Sequence, residues 1–227
     1  MGVYSFLLQA TPQLHVVSLR ELNGHDELLT SHAGTIAILN LLGNVIVAHS
    51  SSGELPVGPE KISIADRDYL LAGIFKYTYG SHIESNINCR SCSKQFDINF
   101  SLDDLVAHTK AQSSKMRIDD NGYFTNEDGF RFRLPAGEDE LAVSGLSAAE
   151  AETLMIQRCV QQSPQQLHTT DFLKMMEQAA PVLITDTEVQ CPECGQSQQA
   201  RFDMQIYLLT KMKNEKKRVA AAFSAKP

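Results

Sequence analysis

The chain has 227 residues, of which 43% are apolar and 21% charged, a composition typical of a folded globular protein rather than a disordered one. Its 20 Lys and Arg residues against 27 Asp and Glu give a formal charge of −7. That charge does not favour a general nucleic-acid binder, because phosphate contacts need a basic surface. Five cysteines are an odd number, so a fully paired disulfide scaffold is excluded.

The first elements are predicted to form an N-terminal α/β extension over residues 1–54. Residues 1–27 alternate apolar and polar positions, which indicates an extended or hairpin entry. Residues 28–49 predict a helix, because apolar residues recur there at steps of three or four. The face expected to be buried consists of Ile36, Leu39, Leu42 and Ile46.

Targeting and membrane signals are weak. Residues 1–15 lack the basic segment of a secretory signal, which favours the cytoplasm, where thiols stay reduced. The most apolar stretch, residues 33–48, is interrupted by two Asn and two Gly residues and falls short of the ~20 residues of a membrane span. A buried core segment is therefore favoured over a membrane segment, and no membrane span is expected.

A second helix is predicted over residues 65–79. Ser63 and Asp66 have the spacing of an N-terminal capping box, and Gly80 suits the C-terminal cap. This helix opens the central part of the chain, residues 55–210, which is predicted to be one zinc-stapled core.

Residues 101–185 are predicted to be a helical and hairpin insertion in that core. A short helix runs to about Lys110, and the two acidic turns within residues 119–129 predict a hairpin. A calcium-binding EF-hand is not favoured, because no Glu stands at the bidentate position that its loop requires. A capping box at residues 147–150 and a helix start at Asp171 predict two further helices.

Two CxxC pairs each lie at the tip of a predicted β-hairpin, here called knuckles. The first knuckle spans residues 83–100 and carries CRSC; the second spans residues 186–207 and carries CPEC. The segments FDINF (96–100) and FDMQI (202–206) match in their Phe-Asp start, which indicates a repeat of strand, knuckle and strand. On this match the second knuckle has the longer tip.

Four thiolates at this spacing are typical of a structural zinc site. Cys89, Cys92, Cys191 and Cys194 complete one tetrahedral shell, which predicts one structural Zn²⁺ per chain as the cofactor. The pairs are 98 residues apart (residues 93–190), so the metal would join distant segments. The alternatives are empty reduced cysteines, a zinc ion that bridges two chains, and two redox motifs. Redox motifs are disfavoured because CPEC leads into a Gln-rich loop and a strand rather than a helix.

The remaining polar residues form no catalytic constellation, and the chain is predicted not to be an enzyme. Cys159 lies on the apolar face of a predicted helix and is interpreted as a core thiol. The seven histidines are scattered, and no phosphate-binding loop, nucleophile elbow or kinase signature is found. Four carboxylates stand at helix starts, where they favour the helix dipole. They are Asp66, Asp68, Asp103 and Asp104.

Residues 211–227 are predicted to be a basic C-terminal helix or tail. Its charged positions are Lys211, Lys213, Lys216, Lys217 and Arg218. Two interpretations remain open: a solvated helix face, and a docking arm for an acidic partner.

The order of these features resembles that of a known family. The motifs are LPVG at 55–58, DRDYLLAGIFKYTYGSHIES at 66–85, FDINFSLDDL at 96–105, FRFRLPAGEDEL at 130–141, QRCV at 157–160, DFLKMMEQAAPVL at 171–183, CPECG at 191–195 and FDMQIYLL at 202–209. Over about residues 55–210 the chain resembles the phage T4 family baseplate hub assembly chaperones and their relatives in contractile tail-like injection systems. CRSC departs from the usual pattern, because it lacks the Pro and Gly of such knuckles.

The resemblance implies a non-enzymatic role in building or completing a contractile-tail baseplate. Other baseplate or hub proteins are then the expected partners, in the bacterial host cytoplasm or in the assembled particle. An assembly chaperone and a retained structural subunit both fit. The competing function is a zinc-ribbon adaptor for nucleic acid or transcription machinery, which needs a basic face that only residues 211–218 offer. The expected fold class is α+β, with two zinc-ribbon-like hairpins and helices in the inserted middle segment.

Overall fold

The computed structural model of the protein describes residues 2–11, 16–28, 34–47, 58–112, 116–162, 169–180 and 182–224. These residues form eleven strands and eight α-helices, with a short 3-10 helix at Pro59–Lys61. The strands are β1 (Val3–Leu7), β2 (Val16–Arg20), β3 (Ile46–Val47), β4 (His82–Asn88), β5 (Gln95–Ser101), β6 (Arg117–Ile118), β7 (Phe124–Thr125), β8 (Arg131–Phe132), β9 (Val160–Gln162), β10 (Ile184–Gln190) and β11 (Ser197–Asp203). The helices are α1 (Gly24–Leu28), α2 (Thr35–Val45), α3 (Ile64–Tyr79), α4 (Leu102–Gln112), α5 (Gly137–Val143), α6 (Ala148–Cys159), α7 (Thr169–Ala179) and α8 (Met204–Ser224).

The strands pair in four small antiparallel sheets, so the predicted α+β class is confirmed. Their orders are β1-β2-β3, β4-β5, β6-β7-β8-β9 and β10-β11. The N-terminal hairpin prediction is confirmed by β1 and β2. The acidic turns form a meander of three strands rather than a single hairpin, and β9 returns after α6 to extend it.

Of the four residues predicted to be buried on helix α2, only Leu42 is fully buried. Ile36 is 53% exposed, Leu39 is half-buried, and Ile46 lies in β3 rather than in the helix. The residues that the helix does bury are Ala37, Ile38, Leu41, Leu42 and Val45. Apolar residues occupy so many positions of this segment that two faces have helical spacing, and only packing selects one.

The main hydrophobic core joins the N-terminal elements to the central helices. Val17 of β2 and Ile38 of α2 belong to the same buried cluster as Leu71 of α3 and Leu208 of α8. The apolar stretch at residues 33–48 is thus part of this core where it is described. Within the described residues, no helix is long and apolar enough to cross a membrane.

A second core lies between the meander and helices α6 and α7. Phe132, Phe172 and Cys159 are its most deeply buried members, so the prediction of a buried Cys159 is confirmed. Helix α6 ends at Cys159, and Val160 already belongs to β9.

Helix α3 begins and ends as predicted. The Ser63 hydroxyl accepts a hydrogen bond from the Asp66 amide at 3.2 Å, and Gly80 has a positive φ of 89°. The carboxylate of Asp66 also accepts the amides of Gln9 and Ala10, each at 2.8 Å. A residue that the sequence assigned to helix capping therefore also fixes the N-terminal segment to the centre of the molecule.

Candidate metal centre

The two CxxC pairs lie on two hairpins of the same dimensions. Strands β4 and β5, and strands β10 and β11, are each seven residues long, with six-residue tips at 89–94 and 191–196. The prediction of a longer second tip is wrong. Phe202 is the counterpart of Phe100 rather than of Phe96, because positions correspond at an offset of 102 residues. Met204 does not continue the strand alternation but begins α8.

The backbone of the two tips follows the same path. The amides of Cys89 and Cys191 donate to the carbonyl five residues ahead, at 2.8 and 3.0 Å. The amides of Ser93 and Gly195 donate back to the carbonyl of the first cysteine, at 2.9 Å in both tips. Ser93 and Gly195 both have positive φ, 58° and 72°. Each tip therefore holds its two sulfurs on the same side of a tight loop.

The repeat extends beyond the hairpins into the elements that flank them. Helices α3 and α7 precede the hairpins, and helices α4 and α8 follow them directly. The Leu102 amide donates to Ser81 at 2.8 Å, and the Met204 amide donates to Leu183 at 3.2 Å. The predicted repeat of strand, knuckle and strand is thus part of a larger unit of helix, hairpin and helix.

The four cysteine sulfurs converge between the tips. Cys89 and Cys194 are 3.7 Å apart, and Cys92 and Cys191 are 3.8 Å apart, measured between Sγ atoms. All four sulfurs lie within 4.8 Å of one another. A tetrahedral shell with Zn–S bonds of about 2.3 Å places sulfurs about 3.8 Å apart. A disulfide needs about 2.05 Å, so the four cysteines are free thiols with the spacing of metal ligands.

The site is covered on one side and open on the other. Cys89 and Cys191 are almost fully buried, Cys92 is half-buried and Cys194 is exposed. The apolar residues packed around the sulfurs are Ile87, Phe96, Ile98 and Val189. Because Cys194 faces solvent, a metal ion can reach the cluster without unfolding of the hairpins.

Backbone amides favour the thiolate form that binds metals. The amides of Cys92 and Ser91 point at the Cys89 sulfur and lower the pKa of that thiol to about 6. The Lys94 amide acts on Cys92 in the same sense, but burial and the three neighbouring sulfurs raise the pKa of Cys92 to about 12. Sulfurs this close together oppose each other's ionisation, and a bound cation removes that opposition.

Gln198 links the two hairpins beside the sulfurs, a contact that the sequence did not predict. Its side-chain oxygen accepts the Arg90 amide at 2.8 Å, and its side-chain nitrogen donates to the Asn88 carbonyl at 3.1 Å. A glutamine in a strand carries no sequence signal for such a role. The tip of the first knuckle is thus fixed to the second hairpin by protein contacts as well as by the sulfurs.

The other candidate residues do not join the cluster. Burial raises the pKa of the Cys159 thiol to about 12, which fits a core residue and not a nucleophile. Asp103 and Asp104 lie in the first turn of α4, as predicted. Asp68 is buried and accepts the Leu183 amide at 2.9 Å, so it connects α3 to the second half of the chain.

The basic run at 211–218 lies in the middle of α8, so a helix rather than a tail is present through residue 224. The Lys211 ammonium lies 5.7 Å from the Tyr79 ring centre and 3.8 Å from the Glu215 carboxylate. Its charge therefore interacts with groups of the same chain. Lys213 and Lys217 are exposed. The side chain of Arg218 lies outside the described part of the chain.

Fold and site together define an α+β protein in which two equivalent hairpins bring four cysteines into one cluster. A family model described as T4 bacteriophage base plate protein matches residues 11–205. The chain therefore belongs to this family of phage baseplate proteins, which confirms the resemblance to phage T4 baseplate proteins and extends it to the N-terminal region. No curated protein and no solved structure matches the chain.

Proposed function

We propose that the chain is a non-enzymatic structural or assembly protein of a contractile, phage tail-like baseplate, stapled by one Zn²⁺ on Cys89, Cys92, Cys191 and Cys194. The observation that carries this proposal is the four-sulfur cluster in a chain of a baseplate family. Four thiolates leave no open coordination position, so the metal is structural rather than catalytic.

The zinc ion would stabilise a long-range connection. The ligand pairs close a loop of 98 residues (93–190), which costs about 4 kcal/mol of chain entropy. Structural zinc sites bind with about 10–16 kcal/mol in small peptides, which exceeds that cost. Zinc binding therefore supports one zinc-stapled core over residues 55–210, with residues 101–185 as an insertion and the two CxxC hairpins as a zinc-ribbon-like unit.

Metal analysis of the purified chain tests the zinc site. We expect one zinc per chain, and we expect Cys89→Ser and Cys191→Ser to lose zinc and to lower the unfolding temperature. Cys159→Ala is the matched control, because it also removes a buried thiol but keeps the four ligands. Wild-type chain without zinc, or serine variants with the wild-type zinc content, would contradict the site.

Other baseplate or hub proteins are the proposed partners, met in the host cytoplasm and in the growing particle. Co-purification with baseplate precursors is the expected result, and a chain that stays free of them throughout assembly contradicts the proposal. An assembly chaperone leaves before the particle is mature, whereas a structural subunit stays in it. Quantifying the chain in precursors and in mature particles therefore distinguishes the two roles.

The exposed part of the basic run on α8 is proposed as a docking arm for an acidic partner surface. Lys217→Glu is expected to weaken association with the precursors, because it reverses a charge at the exposed end of the run. Lys174→Glu on α7 is the control with the same charge change. Salt-dependent binding of DNA or RNA that Lys217→Glu abolishes would instead support the nucleic-acid adaptor.

A further inference from the structure

One edge of the first hairpin is closed by two side chains from the second unit, one on β11 and one on α8. In an antiparallel pair, alternate residues direct their N–H and C=O groups away from the partner strand, and in β4 these include Glu84 and Asn88. The Tyr207 hydroxyl accepts the Glu84 amide at 3.1 Å and donates to the Glu84 carbonyl at 2.8 Å. Gln198 donates to the Asn88 carbonyl. The free edge of β4 is thus capped at two places.

The equivalent edge of the second hairpin lacks both caps. Asp186 of β10 is the counterpart of Glu84, at the offset of 102 residues. The counterpart of Tyr207 is Leu105, and the counterpart of the capping glutamine is Phe96. Neither an aliphatic nor a phenyl side chain can form the hydrogen bonds that close β4.

The backbone of β10 is correspondingly open at this edge. Asp186 and Glu188 direct their N–H and C=O groups away from β11. Within the described residues, these N–H groups donate no hydrogen bond and these C=O groups accept none. An uncapped edge strand is a template for a further strand.

A groove of about 750 Å³ lies beside β10, lined by residues of β5, α4, β10 and β11. Its apolar lining consists of Ile98, Phe100, Leu105, Val189, Ala200 and Phe202. Asp97 and Asp104 add two carboxylates and His108 adds an imidazole, and neither Lys nor Arg is found among the described lining residues. The groove therefore combines an apolar floor, an acidic rim and an unpaired strand edge.

We propose that this groove binds an extended segment of a partner protein in which apolar and basic residues alternate. The proposal rests on the proposed function, because it gives the chemistry of one baseplate partner. A strand that adds to β10 would hydrogen-bond to the backbone of Asp186 and Glu188. Its successive side chains point to opposite faces, so apolar ones enter the groove beside Thr185, Thr187 and Val189, while basic ones lie on the opposite face of β10 with Asp186 and Glu188.

Synthetic peptides test the groove on the full-length, zinc-loaded chain. The probe is a seven-residue peptide, the length of β10, that alternates valine and lysine; the control peptide has glutamate in place of lysine. Fluorescence anisotropy should show binding of the lysine peptide and about tenfold weaker binding of the glutamate peptide. Amide exchange by NMR should slow at Asp186 and Glu188 when the lysine peptide binds.

Leu105→Tyr places a phenol where Tyr207 stands in the first unit, so it should close the β10 edge and weaken peptide binding about tenfold. Leu173→Tyr, at an exposed leucine of α7, is the matched control and should bind as the wild type does. Unchanged zinc content shows that the variant is folded.

The proposal is overturned if both peptides bind equally, or if Leu105→Tyr binds like the wild type. It is also overturned if the amides of Asp186 and Glu188 are already protected without peptide, because another segment or a second copy then fills the groove. If neither peptide binds but the chain still co-purifies with baseplate precursors, the groove proposal is wrong and the proposed function stands. If the lysine peptide binds but the chain does not co-purify with baseplate precursors, the proposed function is wrong instead.

Discussion

Phe100 and Phe202 pack edge to face between the two hairpins, with ring centres 5.0 Å apart and ring planes at 90°. They are counterparts in the repeat, separated by the same 102 residues as the cysteines of the two tips. When two units are related by a two-fold axis, residues at equivalent positions near that axis contact each other. The crossed pairing of the cysteine sulfurs follows the same rule, so aromatic packing and the sulfur cluster join the hairpins at two places.

A double-mutant cycle measures the aromatic contact. Phe100→Leu and Phe202→Leu are each expected to lower the free energy of unfolding by about 1 kcal/mol, because the packing loosens. The double variant should lose about 1 kcal/mol less than the sum, since the ring contact is lost only once. Urea unfolding of the zinc-loaded chain is the measurement.

Phe172→Leu in the second core provides the control, because Phe172 belongs to a different buried cluster from Phe202. Its effect should add to that of Phe202→Leu within about 0.5 kcal/mol. Strict additivity in the Phe100 and Phe202 pair would show that the rings are close without interacting.

The local parts of this architecture can be predicted from the sequence, but the alignment of the two units with each other cannot. Each CxxC tip is readable because its geometry depends on a few neighbouring residues. The alignment of the two units failed because a Phe-Asp pair occurs in both at different positions, at Phe96 and at Phe202. Outside the tips the counterparts share little beyond burial, as Leu102 and Met204 do at the starts of α4 and α8.

The predicted strand after the second knuckle is also wrong from Met204 onward, because it rests on a short alternation of apolar residues. Phe202, Met204 and Ile206 alternate like a strand, but Met204, Leu208 and Met212 are buried at steps of four in α8. Three alternating residues are too few to separate the two periods. The burial of Asp68 and Asp139 is not predicted for another reason: their partners, Leu183 for Asp68 and Arg158 for Asp139, lie on other elements that no local pattern reveals.

Asp139 is a buried carboxylate held by two arginines, and its removal should be costly. Arg133 forms two hydrogen bonds to it, at 2.5 and 2.8 Å, and Arg158 forms one at 2.7 Å. Burial opposes its ionisation, but these bonds and the Ala136 amide outweigh it and lower the pKa of Asp139 to about 2. Asp139→Asn leaves two guanidinium groups without their counter-charge, so the free energy of unfolding at pH 7 should fall by about 3 kcal/mol.

The pH dependence of Asp139→Asn follows from the lowered pKa. The stabilisation by Asp139 is fully present above its unfolded-state pKa of about 3.9 and is lost as pH falls towards 2. The gap in unfolding temperature between wild type and variant should therefore narrow below about pH 4. Asp186→Asn is the control, because Asp186 and Arg201 are exposed and 3.5 Å apart. A loss of equal size in that control would contradict the role of burial.

The pKa of Asp68 is shifted in the opposite direction from that of Asp139, so its effect on stability changes with pH in the opposite direction. Burial raises its pKa to about 7, although the hydrogen bond from the Leu183 amide acts against this shift. The folded chain then holds a proton between about pH 4 and 7 that the unfolded chain has released, so the contribution of Asp68 to stability falls as pH rises through this window.

Asp68→Asn keeps an acceptor for the Leu183 amide and removes the titration. Its unfolding temperature, relative to that of the wild type, should rise between pH 5 and pH 8 and then level off. Asp104→Asn, at an exposed position in α4, is the control and should show no such rise. A difference between Asp68→Asn and wild type that stays constant over the window would mean that Asp68 is already ionised at pH 5.

The counterparts Ser93 and Gly195 predict opposite responses to substitution at equivalent positions. Both have a positive φ, which costs a residue with a Cβ about 1 kcal/mol and costs glycine little. Gly195→Ala should therefore destabilise the zinc-loaded chain by about 1 kcal/mol, whereas Ser93→Gly should stabilise it by about 0.5 kcal/mol. Thermal unfolding with zinc present is the measurement.

Gly43→Ala separates this backbone effect from the general effect of replacing glycine. Gly43 lies inside α2, has no positive φ, and a Cβ there meets only the Pro59 ring at 3.7 Å. That control should stabilise the chain by about 0.5–1 kcal/mol, because alanine is the better helix former. If Gly195→Ala behaved like Gly43→Ala, the second tip would not adopt the positive φ that gives the two knuckles their common path around the sulfurs.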